Sequence, residues 1–102
     1  MSASTYIRLI QLVEKFYLSE EGKKAKEFYD INYNDFEIAV FEVSKSLHPN
    51  TIKQYWRALN IFKLGDYNET YQEGKPIQVF CFQKKSVESF LEKNKQFRGN
   101  KK

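Results

Sequence analysis

NDFEIAVFEVSKSLHPNTIKQYWRALNIFKLG, residues 34–65, is the stretch on which the reading of the fold turns. Its first half predicts a helix. Asn34 or Asp35 offers a side-chain oxygen to the first free backbone N–H groups. Phe36, Val40, Val43 and Leu47 recur at helical spacing, which stacks them on one face. Pro49 lacks the N–H that a helix interior needs and pushes His48 away from helical angles, so this helix must end first. Asn50 or Thr51 then caps a second helix that buries Ile52, Tyr55 or Trp56, Leu59 and Phe62, and Gly65 stops it. Its other face carries Lys53, Gln54, Arg57 and Asn60. Two helices about a tight connection, the second with a basic, hydrogen-bonding face, make a helix-turn-helix.

Working outward, the pattern after Gly65 changes to period two. Tyr67, Glu69 and Tyr71 alternate with Asn68 and Thr70, a turn follows at Gln72–Pro76, and Ile77–Phe82 forms a second alternating run. Two such runs about a Gly-containing loop predict a β-hairpin. Ile77, Val79 and Cys81 are expected to face the core, with Phe80 and Phe82 on the opposite side, where another element or subunit must cover them. Ser86 is expected to cap a last helix from Val87 to about Lys95, with Val87, Phe90 and Leu91 as its apolar stripe. Residues 97–102 read as a frayed basic tail.

On the N-terminal side, Ser4 or Thr5 is expected to cap a helix running to about Leu18. Tyr6, Leu9, Ile10, Val13, Phe16 and Tyr17 line one side of it, and Ile7, Leu12 and Leu18 add apolar surface elsewhere. An apolar arc that wide calls for more than one neighbour, either a thick core or a second copy of the chain. For a homodimer the candidate interface is Tyr6, Leu9, Ile10 and Val13 together with Phe90 and Leu91. Ser19–Tyr29 reads as a second short helix or a continuation of the first, and Ile31–Tyr33 as a short strand leading into the helix-turn-helix.

The run Pro49–Leu59, PNTIKQYWRAL, closed by Phe62-Lys63-Leu64-Gly65, resembles the recognition helix of winged helix-turn-helix DNA-binding proteins, most of all small archaeal, viral or plasmid-encoded regulators. The resemblance covers residues 31–82. It implies an α+β, mainly α fold: a winged helix-turn-helix with N-terminal and C-terminal helices and a β-hairpin wing. On that plan residues 1–102 are one domain: an N-terminal helical segment (1–30), the helix-turn-helix (34–64), the wing (65–83), a C-terminal helix (86–96) and the tail.

Charge supports the same division. Residues 1–43 carry five basic and eight acidic side chains, whereas residues 44–63 carry Lys45, Lys53, Arg57 and Lys63 and no acid at all. Residues 64–83 return to a net −2, and residues 84–102 reach +5. Positive charge is confined to the candidate recognition helix and the C-terminal segment, as a polyanion partner requires. The competing explanation is a solvated Lys-rich helix face.

The chain is 102 residues long with 41% apolar and 17% aromatic residues, enough for one modest core. No apolar run is long enough for a membrane span, no signal-peptide pattern opens the chain, and one cysteine excludes an internal disulfide, so a cytoplasmic location is expected. Catalytic inventory is thin. The single His48 and single Cys81 fall on separate elements, no Cys/His cluster has metal spacing, and the glycines are scattered, so the reading is of a non-enzyme without cofactor or metal.

The function expected is sequence-specific binding of double-stranded DNA by a dimeric transcriptional regulator, with the recognition helix in the major groove. Lys53, Gln54, Arg57 and Asn60 are the candidate base contacts, since Arg pairs bidentately with guanine and Gln or Asn with adenine. Lys45, His48, Asn50, Thr51, Tyr55, Lys63 and Lys75 are the candidate phosphate contacts. Two alternatives use the same chain differently: a centromere-like site binder in plasmid partition or replication, and a winged helix that docks a protein partner through exposed aromatics.

Overall fold

The computed structural model describes residues 1–98. Helix α1, Ala3–Tyr17, is capped by Ser2, whose Oγ accepts from the Thr5 N–H at 3.2 Å, so the cap lies earlier than Ser4 or Thr5. A five-residue helix α2, Glu20–Lys24, follows, capped by Ser19. Gly22 lets α2 turn tightly: a Cβ there would lie 2.4 Å from the Phe16 carbonyl oxygen. Strand β1, Phe28–Asn32, leads into α3, Tyr33–Ser44, which Asn32 caps through the Asp35 N–H at 2.8 Å, in place of Asn34 or Asp35.

Residues 45–48 connect α3 to α4, Pro49–Ile61. Lys45 takes the left-handed conformation with φ 62° and ends α3. Leu47 therefore lies beyond the helix and is 66% exposed; the expected apolar stripe stops at Val43. His48, and neither Asn50 nor Thr51, caps α4: its Nδ1 accepts from the Asn50 N–H at 3.1 Å, and Pro49 occupies the first turn, where its missing donor costs nothing. Gly65 does not stop α4. Lys63, with φ 59°, makes the left-handed turn, and Gly65 begins β2, Gly65–Gln72, where its missing side chain admits the Cys81 carbonyl. A Cβ on Gly65 would sit 1.9 Å from that oxygen. Glu73 and Gly74, both with positive φ, turn the chain into β3, Lys75–Gln83. Helix α5, Lys84–Lys93, starts earlier than expected and without Ser86 as cap, and a 3₁₀ turn spans Lys95–Phe97.

The architecture is α+β and mainly helical, with one antiparallel sheet in the order β1-β3-β2. Tyr29 and Gly65 flank Phe82, and Ile31 and Tyr67 flank Phe80, all on the helix-facing side. Phe80 and Phe82 are fully buried, whereas Ile77 and Cys81 are only half-buried on the other face. The expected facing of β3 is thus reversed for Ile77 and Cys81, while Val79, 6% exposed, is buried on that other face, outside the cluster that takes Phe80 and Phe82. Five of the six residues from Ile77 to Phe82 are apolar, so alternation does not select a face; the rings do, because only they reach Phe16, Trp56 and Tyr67 beneath the helices.

The core gathers Leu9, Ile10, Leu12, Val13, Phe36, Val40, Leu59, Val87 and Leu91, each at most 1% exposed, around a run of aromatic rings. Five of the six residues expected at a dimer interface, Leu9, Ile10, Val13, Phe90 and Leu91, belong to this core, at 8% exposure or less. The sixth, Tyr6, packs against Phe62 and Phe90 and donates to Asn94 Oδ1 at 3.0 Å. That set is therefore consumed within one chain, where α1 meets its own α3 and α5. Part of the expected frayed tail is also pinned. Arg98 Nε donates to the buried Glu14 carboxylate at 2.6 Å, and Phe97 packs on the core; the rest of the tail lies outside the described residues. No described helix is long and apolar enough to cross a membrane.

Candidate nucleic-acid interface

Helix α4 sorts its side chains by period. Ile52, Tyr55, Trp56, Ala58 and Leu59 are buried at 7% exposure or less, and the opposite side shows Lys53, Gln54, Arg57 and Asn60, all exposed. Burying an ammonium or guanidinium without a partner costs several kcal/mol, so Lys53 and Arg57 were bound to face outward once the apolar set faced in. Among the described residues no carboxylate pairs with Lys45, Lys53, Arg57, Lys63 or Lys75; the ion pairs formed are Lys15–Glu42, Lys95–Glu92 and Arg98–Glu14. The cations of α4 thus keep their charge available to an external anion. Asn60 is the exception among the four polar residues, because its amide donates to the Gly65 carbonyl at 3.4 Å and ties α4 to the start of the hairpin.

The expected phosphate contacts divide. Lys45, Lys63 and Lys75 are exposed, the first two on left-handed turns just after α3 and just after α4, and the third where β3 leaves the turn. His48 is exposed but its Nδ1 already holds the Asn50 N–H. The N–H groups of Thr51 and Ile52 bond to the His48 carbonyl, so the start of α4 has its first donors satisfied and offers an anion side chains only. Tyr55 is not a phosphate contact: it is 3% exposed, and its hydroxyl faces Arg8 and Thr5 of α1. Burial raises its pKa, which the Arg8 charge opposes.

A groove of about 540 Å³ runs between α4 and the hairpin, lined by Tyr33, Lys53, Trp56, Arg57, Tyr67 and Gln78. Tyr67 is fixed in it by a 2.7 Å bond from its hydroxyl to the Trp56 carbonyl and by an edge-to-face contact with Phe80, ring centres 5.1 Å apart. Burial raises the Tyr67 pKa, so the hydroxyl stays a donor at neutral pH, while the nearby Arg57 opposes the shift. Tyr33, Tyr67 and Gln78 were not anticipated as site residues. The alternation of β2 put Tyr67 on one strand face but gave no sign that this face would abut α4.

Cys81 lies half-buried on the far side of the sheet. Burial first, then its contact with Asp30, pushes its thiol up to about 11, leaving it a poor nucleophile at neutral pH. Among the described residues no group of three His, Cys, Asp or Glu side chains is placed to hold a metal ion.

Compared with protein-family models, with curated proteins and with solved structures, the chain finds no match.

Proposed function

We propose that the chain is a winged helix-turn-helix domain that binds double-stranded DNA, with α4 in the major groove, the β2–β3 hairpin as the wing, and regulation of transcription as the role. The observation that carries this reading is the outward face of α4: two exposed cations without carboxylate partners among the described residues, an exposed glutamine between them, and an acid-free window from Ser44 to Lys63. The succession of strand, two helices and hairpin is consistent with the arrangement that the resemblance implies. Arg57 and Gln54 read bases, Lys53 spans base edge and phosphate, and Lys45, Lys63 and Lys75 hold the backbone. To backbone contacts the hairpin contributes little beyond Lys75, since Glu69 and Glu73 repel phosphates. Partition or replication site binding would use the same contacts for another purpose.

Titration with a duplex across salt concentrations tests this. Neutralising about four to six phosphates gives a log–log slope near −0.9 per phosphate, whereas a slope near zero overturns the reading. A protein partner is the competing reading, and one observation favours it. Ile38 and Phe41, three apart on the outer side of α3, are 60% and 42% exposed. Ile38→Lys would then abolish self-association or partner capture in sedimentation while leaving DNA affinity unchanged.

A further inference from the structure

The groove between α4 and the hairpin is built unlike a surface that meets paired DNA. Its floor is Trp56, 7% exposed; Tyr33 stands edge-on to that ring with centres 5.0 Å apart, and Tyr67 closes the other side at 5.7 Å. Tyr67 is 43% exposed although its hydroxyl and one edge are tied down, so a rigid aromatic surface is left open. In a duplex the bases are stacked and present only their edges to a protein, and such a surface finds nothing to stack on. An aromatic box alone would suit a cation, but Lys53 and Arg57 at its rim repel one. What the groove matches is flat, apolar on its faces, polar on its edge and attached to an anion. A nucleobase with its phosphate has that chemistry.

We propose that this groove takes one unpaired nucleobase of the bound DNA. The base stacks on Tyr67 against Tyr33, the Gln78 amide supplies one donor and one acceptor to its pairing edge, and the adjoining phosphate lies on Lys53. Glu69, paired with Gln78 across the hairpin, keeps that phosphate on the α4 side. A volume of about 540 Å³ is ample for one nucleoside. The bond that holds Tyr67 in place means that this ring does not have to be ordered on binding. The inference rests on the nucleic-acid reading and narrows its substrate to DNA with a locally unpaired position, such as a melted or bulged site.

Trp56 is the single tryptophan of the chain, so its emission reports directly on the groove. The full chain is titrated with a fully paired duplex, with the same duplex carrying one extra unpaired thymidine, and with a six-nucleotide oligothymidylate. The bulged duplex is expected to bind on the order of tenfold tighter than the paired one, the increment of one stacked base, and both it and the oligothymidylate quench Trp56. Tyr67→Leu removes the preference and Tyr67→Phe, which keeps the ring, retains it. Should Tyr67→Leu fail to fold, Tyr33→Leu on the facing wall carries the same expectation. Equal affinity for the paired and bulged duplexes with unchanged Trp56 emission overturns this inference and leaves the duplex reading standing. Absence of binding to all three overturns both.

Discussion

Helices α1 and α4 each present, in sequence, a surface that asks for a partner, and they meet opposite fates. The apolar arc of α1 turns inward: Leu9, Ile10 and Val13 are wholly buried by the same chain. The polar face of α4 turns outward and its cations are left without carboxylates among the described residues. The difference is one of physics. A methyl group is equally satisfied by any apolar neighbour, so an apolar arc says that something covers it and never what does. A lysine or arginine pays a large desolvation cost unless paired or wet, so an acid-free basic face declares its own exposure.

The largest effect that bears on this contrast belongs to α1. Leu9→Ala is expected to lower unfolding free energy by about 2–5 kcal/mol through lost burial and the cavity left behind. Denaturant melts at widely different protein concentrations check it. Because Leu9 serves one chain's core, the midpoint shift must be the same at every concentration; a concentration-dependent midpoint that the substitution abolishes would restore the interface reading.

Next in size is Arg57→Ala. It is expected to leave thermal stability within about 0.5 kcal/mol, as surface changes do, and to cost about 1–3 kcal/mol of discrimination at one base pair. Binding to a library of single-base operator variants measures both. A uniform loss over all variants would move Arg57 from base to backbone contact.

How much was legible follows the same line. The element order, the presence of a break ahead of Pro49 and the outward face of α4 were readable, because proline chemistry, 3.6-residue spacing and charge are local properties. Errors fell where a choice depends on distant residues. Phe80 and Phe82 face inward because Trp56, Phe16 and Tyr29 are there to receive them, which no window of β3 reveals. Tyr55 looked free as long as Arg8 and Thr5, some fifty residues away, were not seen against its hydroxyl. Gly65 looked like a helix stop, since nothing local announces the Cys81 carbonyl that occupies its missing side chain. Leu47 kept the apolar rhythm of α3 by coincidence, after Lys45 had already turned the chain. The groove walls, Tyr33 and Tyr67, belong to elements that become neighbours only when the hairpin folds back on α4.

His48 stands between the two regions, at the start of the exposed helix yet serving the fold. His48→Ala removes the Nδ1 acceptor of the Asn50 N–H and is expected to cost about 1 kcal/mol of stability, as lost N-caps do; His48→Ser, another capping residue, recovers most of it. Filter binding alongside the melts separates the roles. A loss of DNA affinity in the serine variant at intact stability would return His48 to the phosphate contacts.

The smallest effect is the sharpest test of the α4 face. Lys53 lies one helical turn before Arg57, so both project to the same side, and the two are distinguished by chemistry more than by place. An ammonium is a point charge with no fixed fork, suited to a phosphate, whereas the guanidinium fork matches the paired acceptors of guanine. Lys53→Ala should therefore weaken binding to all operator variants alike and reduce the salt slope by about 0.9, the release of one counterion. Arg57→Ala should change the ranking of variants. If Lys53→Ala leaves the slope unchanged while altering that ranking, the helix sits in the groove in another register, with Lys53 over the bases and Arg57 on the strand beside them.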